Sequence, residues 1–433
     1  MPSLGRVTEK LNKINCKDLS LKTGFQQRAS RKIEPHQLLQ ALCTSAFHSY
    51  FSLNILATQI GLQGGKTVSK QGVGERFSGT CIDFVNHCLF AALNNTAHTG
   101  QLTGKGCFST FNRVLVQDST SLKLPDKLVD VFPGSKNQTG KKKAGIRLQT
   151  IYDLLHERFV HFDPAPFCRN DQAAAADILE LARPGDLILR DLGYFAMDVF
   201  KKMTSSNIYF LSRFRHDVIP IDPQHTNKRL DLVALLKKHP VLDIDVHLGA
   251  KHQMPVRLIA VPVPDHIADE RRRKAKNNRC ASCRPTKKHL WLLGWQIMIT
   301  NVDRSCWSTA QAVKAYAARW RIEIIFKSWK SHFNMTCIPC GNRAYVLCCI
   351  LAKLLYITLF QVLFEKLNAY MIGKYARPLS ILKLSAIVAT LGSWFFQALV
   401  NSPDLLDQIL LTHCTYEKRK DRVNYYQLLD SLA

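Results

Sequence analysis

Residues 316–330, YAARWRIEIIFKSWK, constrain the fold more than any other stretch of this chain. Tyr316, Arg319, Glu323 and Lys330 follow one another at spacings of three, four and seven. On a helix turning about 100° per residue, these side chains fall within roughly 60° of one another. A carboxylate, two cations and an aromatic ring on one face are a poor set to aim at a core. They suit a surface turned toward a phosphate backbone, with the carboxylate free to hold a metal and the ring free to stack. The plainer reading is an amphipathic helix that carries a Glu/Lys pair.

The pattern Y-x2-R-x3-E-x6-K, with its Arg319-to-Glu323 core Arg-Trp-Arg-Ile-Glu and the later Phe-Lys and Trp-Lys pairs, resembles the signature of the DDE transposases of the insertion-sequence-4 family. The resemblance implies that Glu323 is the third metal-binding carboxylate, and that Tyr316, Arg319 and Lys330 hold a DNA end. It also demands two upstream aspartates, each at the end of a buried strand.

Two aspartates meet that demand. Val114, Leu115 and Val116 read as a buried strand with Asp118 just past it, in the run Asp118-Ser119-Thr120. Leu187, Ile188 and Leu189 read as a second apolar strand before Asp191-Leu192-Gly193-Tyr194. Taken alone, an aspartate after an apolar strand is more often a loop-capping residue. Both runs are similar to the family's Asp-Ser/Thr-Thr/Ser and Asp-x-Gly-Tyr/Phe motifs.

The intervening chain reads as strands at about 146–153 and 158–163, an Ala-rich helix at about 171–182 closed by Pro184-Gly185, the Asp191 strand, a helix near 195–205 and a strand at about 207–213. Pattern alone gives an α/β domain. The resemblance sharpens this to a ribonuclease H-like catalytic domain with a β-rich insertion, flanked by helical N- and C-terminal regions. The expected boundaries are 1–105 for a helical DNA-binding region, 106–215 for the first part of the core and 216–305 for the insertion. The catalytic helix spans 306–335, and 336–433 form a helical, dimerising C-terminal region.

Alternating stretches at 242–248, 256–263 and 290–300 read as the insertion's strands. Between them, residues 268–279 (ADERRRKAKNNR) form a basic tract without apolar periodicity, a solvated loop that can also contact phosphates. Trp295 lies where one branch of the family places a tryptophan that stacks on a flipped base, and the resemblance makes it a DNA-binding candidate. Such stacking is worth about 1–3 kcal/mol per base. A core tryptophan in a strand is the alternative, and Trp291 has equal claim to that role.

In-line cleavage of a phosphodiester calls for two divalent cations, and carboxylates are the natural ligands for Mg²⁺. The resemblance implies two Mg²⁺ per active site, with Mn²⁺ as substitute, held by Asp118, Asp191 and Glu323. Without metal, three such anions should be strained and loosely held. Arg319 suits bidentate phosphate binding, and Lys330 acts as a point charge. Composition agrees: 59 Lys+Arg against 33 Asp+Glu give a net +26, while 46% hydrophobic residues leave enough for real cores. The charge is a surface property that favours double-stranded DNA as partner, with marked salt dependence.

In the N-terminal region, 52–61 and 67–77 suggest helix, turn, helix, with Gly64-Gly65 at the turn and Ser69, Lys70, Gln71 and Arg76 facing DNA. A plain helical bundle is the alternative, since Gly72 and Gly74 weaken the second helix. Near the other end, 344–367 and 381–400 are long and apolar, yet each carries an internal lysine (Lys353, Lys383) and both read as buried helices that aid subunit pairing. The tail 417–422 reads as a solvated basic face. The 14 cysteines include two C-x2-C pairs, Cys280/Cys283 and Cys337/Cys340; their wide separation favours scattered reduced thiols over a zinc site. No P-loop, repeat or signal peptide is seen, which favours a bacterial cytoplasmic, nucleoid-associated protein without a nucleotide cofactor.

The reading is a cut-and-paste DNA transposase that binds the terminal inverted repeats of its own insertion sequence and acts as a homodimer in the synaptic complex. Two alternatives stay open: a catalytically silent DNA-binding descendant, and a ribonuclease H-like nuclease that hydrolyses without joining.

Overall fold

The computed structural model describes residues 14–28, 32–49, 51–95, 106–136, 140, 142–225, 228–249, 253–277, 284–417 and 423–431. Among the described residues, five α-helices come first: α1 (Cys16–Lys22), α2 (Pro35–Cys43), α3 (Leu53–Gly64), α4 (Lys70–Gly74) and α5 (Gly79–Asn95). Then follow β1 (Val114–Lys123), β2 (Pro133–Lys136), β3 (Lys142–Asp153), β4 (Arg158–Pro166), β5 (Leu187–Arg190), α6 (Met197–Ser205) and β6 (Tyr209–Arg213). The next segment holds β7 (Pro220–Ile221), α7 (Leu232–Lys238), β8 (Leu242–Leu248), β9 (Met254–Pro262), α8 (Asp265–Lys276), α9 (Lys287–Leu292) and β10 (Trp295–Thr300). The chain ends in α10 (Thr309–Ala318), α11 (Trp320–Ser331), α12 (Arg343–Tyr375), α13 (Ile381–Asn401), α14 (Pro403–Ile409) and α15 (Tyr425–Asp430).

The strands form one mixed sheet in the order β2-β3-β1-β5-β6-β10-β9-β8-β7, with β4 on β3. β1, β5 and β6 are parallel, while β3 runs antiparallel to β1 and β10 antiparallel to β6. The 216–305 segment therefore extends the central sheet from β6 instead of forming a separate one. Alternation along the strands divides the core into two layers. Val114, Val116, Leu187 and Leu189 face the layer containing α5 and α10–α13, while Leu115 and Ile188 face α6 and the insertion.

Several local expectations are corrected. The Ala-rich stretch 171–182 is a series of turns ending in a 3-10 turn at Asp177–Glu180, not an α-helix. The carbonyls of Ala174 and Ala175 accept hydrogen bonds from the side chains of Gln117 and Arg190, which draws them away from a helical ladder. Residues 287–292 are helical, not the start of a strand, because Thr286 caps His289 N–H at 3.1 Å; the strand begins only at Trp295. The basic tract is a helix, α8, over its described part, held by Glu270–Lys274 and Asp269–Arg272 pairs at one-turn spacing. In the N-terminal region, α3 ends at Gly65 in the left-handed conformation (φ 62°), as the turn requires. α4 has only five residues, shorter than expected at 67–77, and the Ser69 hydroxyl is spent capping Gly72 N–H. Lys70, Gln71 and Arg76 are exposed.

The 33-residue α12 is buried along most of its length, as its apolar run suggested. α13 departs from the expectation of a buried helix. It kinks at Leu391, and beyond the kink Trp394 is 71% and Val400 73% exposed. Cys280, Cys283 and residues 418–422 of the basic tail lie outside the described residues. All described cysteines are free thiols.

Candidate active site

The register of β1 against β5 sets two aspartates side by side. Gln117 is the partner of Arg190, so Asp118 and Asp191 each follow that pair by one residue. Period-two alternation sends both to the face that carries Val116 and Leu189, beneath α11. Asp191 lies just past its strand, as expected. Asp118 does not: β1 continues to Lys123 because its antiparallel pairing with β3 persists to Gly145. Only the parallel neighbour ends at that level.

On the reverse face, the fully buried Arg190 ties the two strands together. Its guanidinium donates to Gln117 Oε1 at 2.8 Å and lies over the rings of Tyr194 and Phe200. Burial pushes this guanidinium down to about 9.

Above the aspartates, α10 and α11 form an almost continuous rod, tightened at Arg319, whose N–H bonds to the Tyr316 carbonyl one 3-10 step back. α11 is amphipathic: Ile322, Ile325, Phe326 and Trp329 are buried, and Trp329 stacks edge-on or tilted against Phe159 and Phe162 of β4. The start of α10 is fixed from the insertion. Arg257 pairs with Asp243, donates to Trp307 O at 2.8 Å, and Asp243 accepts from the Thr309 hydroxyl.

This arrangement joins the carboxylates through side chains. Arg319 donates to Asp118 Oδ2 at 2.7 Å and to Glu323 Oε1 at 2.5 Å. Tyr316 donates to Asp191 Oδ1 at 3.3 Å, and Arg213 of β6 lies 3.9 Å from the same oxygen. Asp118 is pushed up to about 6, chiefly by burial; Arg319 and the Ser119 N–H oppose this, and the charges of Asp191 and Glu323 add to it. Burial also raises the Tyr316 phenol. Side-chain exposure is 17% for Asp118, 40% for Asp191 and 33% for Glu323, so solvent reaches all three. Among the described residues, no three Asp, Glu, His or Cys side chains are closed into a ready ligand set. The Arg319 guanidinium supplies the positive charge between Asp118 and Glu323 instead.

Lys330 is exposed near the C-terminal end of α11, two turns from Glu323, and is not brought onto the carboxylates. Trp295 opens β10 half-buried, tilted against Trp291 at 5.9 Å. Its carbonyl accepts from Arg271 of the basic helix α8. Trp320, which the sequence did not single out, is 58% exposed one residue after Arg319.

Other residues also escaped sequence reasoning. Asp171 accepts from the Ser119 hydroxyl at 2.6 Å, from Arg147 and from Gln149. A Cβ on Gly193 would meet Asp171 Oδ2 at 3.0 Å, so the glycine of the second motif makes room for this acid. Tyr194 of the same motif donates to Gln149. Both motif tails thus dock onto one cluster, whose members are scattered in sequence and carry no spacing signal.

A parallel pair of strands presenting two acids, with a helix delivering a third beside an arginine and a tyrosine, is the framework of a DDE-type DNA-processing domain. The family described as "Transposase DDE domain" matches residues 109–357, more than half of the chain, and the chain belongs to that family. It is a DNA-cleaving and strand-transferring enzyme, with the divalent-metal dependence and ribonuclease H-like fold that the family implies. The transposase for insertion sequence element IS231D of Bacillus thuringiensis subsp. finitimus is 26% identical over 427 residues, covering 94% of this chain and 89% of that protein. The transposase for IS231C of Bacillus thuringiensis subsp. berliner is 26% identical over 428 residues, with the same coverage. The transposase for IS1151 of Clostridium perfringens is 26% identical over 363 residues, covering 78% of this chain and 70% of that protein.

Proposed function

We propose that this transposase binds the terminal inverted repeats of its own insertion sequence and moves it by cleavage and strand transfer at one site built from Asp118, Asp191 and Glu323. The observation that carries this reading is the Arg319 bridge between Asp118 and Glu323, beside an Asp191 that Tyr316 contacts. Two acids from neighbouring strands and one from a helix more than a hundred residues later come together here, Asp118 and Glu323 on Arg319 and Asp191 beside Tyr316 and Arg213.

The donor set fits Mg²⁺, with Mn²⁺ as substitute: three carboxylates, all oxygen, all solvent-reachable, in a place that already favours positive charge. Held by these carboxylates, such ions would supply activation of a water or a 3′-hydroxyl and charge stabilisation at the leaving oxygen. The chain's own residues do the rest. Asp118, Asp191 and Glu323 provide oxygens, and Ser119 N–H orients Asp118 at 2.8 Å. Arg319, released from the carboxylates, presents a planar fork to a phosphate of the DNA end. Tyr316 sits beside Asp191 to contact the terminal phosphate or the displaced base. Lys330 adds a point charge farther along the bound end, and Trp295 offers a ring for stacking at the edge of the insertion.

The +26 net charge supports duplex DNA as partner, and α8 presents a basic face next to Trp295. The apolar strip of α13, with Trp394 and Val400 exposed, supports pairing of two copies in a synaptic complex. A cytoplasmic site of action, where the DNA lies, follows from this reading.

The test is strand cleavage and joining on a duplex carrying the gene's flanking ends, with Mg²⁺, comparing wild type with Asp191→Ala. Nicking at a unique end plus joined product, both lost in the variant, supports the proposal. Nicking without joining favours a nuclease. Binding with neither, on verified native ends, favours a silent DNA-binding descendant.

A further inference from the structure

The Arg-Trp-Arg-Ile-Glu core contains a second arginine that the site above does not use. Arg321 lies two residues before Glu323, roughly 200° around the helix, and therefore points away from the carboxylates. Its side chain is 1% exposed, and its guanidinium meets Glu157, itself 2% exposed, at 2.5 Å. Burial would lower this guanidinium, but Glu157 and the surrounding tyrosine hydroxyls outweigh it and hold Arg321 well above its ordinary value. Glu157 sits in the β3–β4 turn with φ 45°, a left-handed backbone conformation that costs a non-glycine residue energy.

The pair is enclosed by the C-terminal segment. Tyr426 donates to Glu157 Oε2 at 2.8 Å, and Asn368 of α12 donates to the Tyr426 hydroxyl at 2.8 Å. The Arg321 guanidinium lies 4.7 Å from the Tyr425 ring centre, and Gln361 of α12 donates to the Glu157 carbonyl at 2.7 Å. Farther along, Lys314 of α10 donates to the Ser431 carbonyl at 3.0 Å. The last described helix, α15, thus touches the hairpin beside β1, the long helix α12 and both catalytic helices.

A buried ion pair is not an efficient source of stability, because desolvation offsets much of its attraction. Its geometry, however, ties the face of α11 opposite Glu323 to the β3–β4 turn. We propose that Arg321 and Glu157 are positioning residues of the transposase reaction: clamped by Tyr426 of the C-terminal helix, they fix the rotation of α11 that brings Glu323 and Arg319 over Asp118. This inference rests on the assignment of Asp118, Asp191 and Glu323 as the catalytic acids.

The test uses the full chain with Glu157→Leu and Arg321→Met together, which removes both charges and keeps apolar bulk. The thermal midpoint and duplex binding stay near wild type. The Mn²⁺ concentration for half-maximal end cleavage rises about tenfold, a cost typical of losing groups that orient metal ligands. The cleavage rate at saturating Mn²⁺ falls about a hundredfold, as expected when a catalytic group is displaced by about 1 Å. Cleavage and Mn²⁺ dependence unchanged in a folded double variant overturn the proposal. If the double variant does not fold, Tyr426→Phe removes one hydroxyl and little volume. A fall in cleavage with unchanged circular dichroism and duplex binding supports the clamp, and normal cleavage overturns it. Asp118→Asn, run beside them, separates the failures: if it still cleaves, the site assignment is wrong; if it does not, only the clamp is in question.

Discussion

Asp118→Asn should stabilise the metal-free protein at neutral pH while abolishing cleavage. Burial outweighs Arg319 at this carboxyl and lifts it from an ordinary 3.8 to about 6. In that window the folded state holds a proton that the unfolded state has lost. The stability this group contributes is therefore full below about pH 4 and is lost as pH rises through about 6. A rise of this size corresponds to about 3 kcal/mol of penalty on the ionised form at pH 7.5. An unfolding entropy of about 2.1 cal/mol/K per residue gives about 0.9 kcal/mol/K for the whole chain, so the isosteric amide should raise the midpoint by about 3 °C. Scanning fluorimetry in chelator at pH 7.5 and pH 4.5 measures this; most of the gain should vanish at the lower pH. Added Mn²⁺ should then stabilise wild type more than the variant. An Asp118→Asn variant whose midpoint is unchanged or lower at pH 7.5 would refute the argument that burial governs this acid.

Glu323→Gln should keep duplex affinity within about threefold and lose metal-dependent cleavage, since a neutral amide is a poor ligand for a hard cation; cleavage at the normal rate removes Glu323 from the site. Arg319→Ala should raise divalent-metal affinity in the absence of DNA, because it removes the cation that bridges Asp118 and Glu323. The same variant should weaken handling of the cleaved end more than general duplex affinity, and equal losses measured by gel shift on intact and pre-cleaved ends count against that role. Trp394→Glu, on the exposed strip of α13, should reduce self-association in sedimentation velocity and leave single-end binding intact. Unchanged association would move the subunit contact elsewhere.

How much of this was legible in the sequence depended on whether the signal was local. Leu187 to Leu189 form a short apolar run followed by an acid and a glycine; that pattern located β5, and its likeness to the family's Asp-x-Gly-Tyr/Phe motif singled out Asp191. Tyr316, Arg319 and Glu323 were legible because helical periodicity puts them on one face, and the structure keeps them there despite the tightening at Arg319. The Ala-rich stretch misled because alanine reports propensity, whereas side chains from β1 and β5 compete for its carbonyls. The extent of β1 beyond Asp118 was hidden in its pairing with β3, a contact that no single strand encodes. Arg321 and Arg190 look like surface cations in sequence; only the fold supplies Glu157 and Gln117 and buries them. α13 looked like core by hydropathy, yet most of its apolar length is not buried within the chain, because the kink at Leu391 turns its second half outward.

The most direct test of the central claim is Mn²⁺ titration followed by electron paramagnetic resonance in the presence of a duplex end, comparing wild type with Asp118→Asn, Asp191→Asn and Glu323→Gln. If the three acids form one metal centre, each substitution weakens the same bound signal, by about tenfold or more, and none leaves a wild-type isotherm. A wild-type isotherm in any one of the three would contradict a shared site and remove that residue from the catalytic centre.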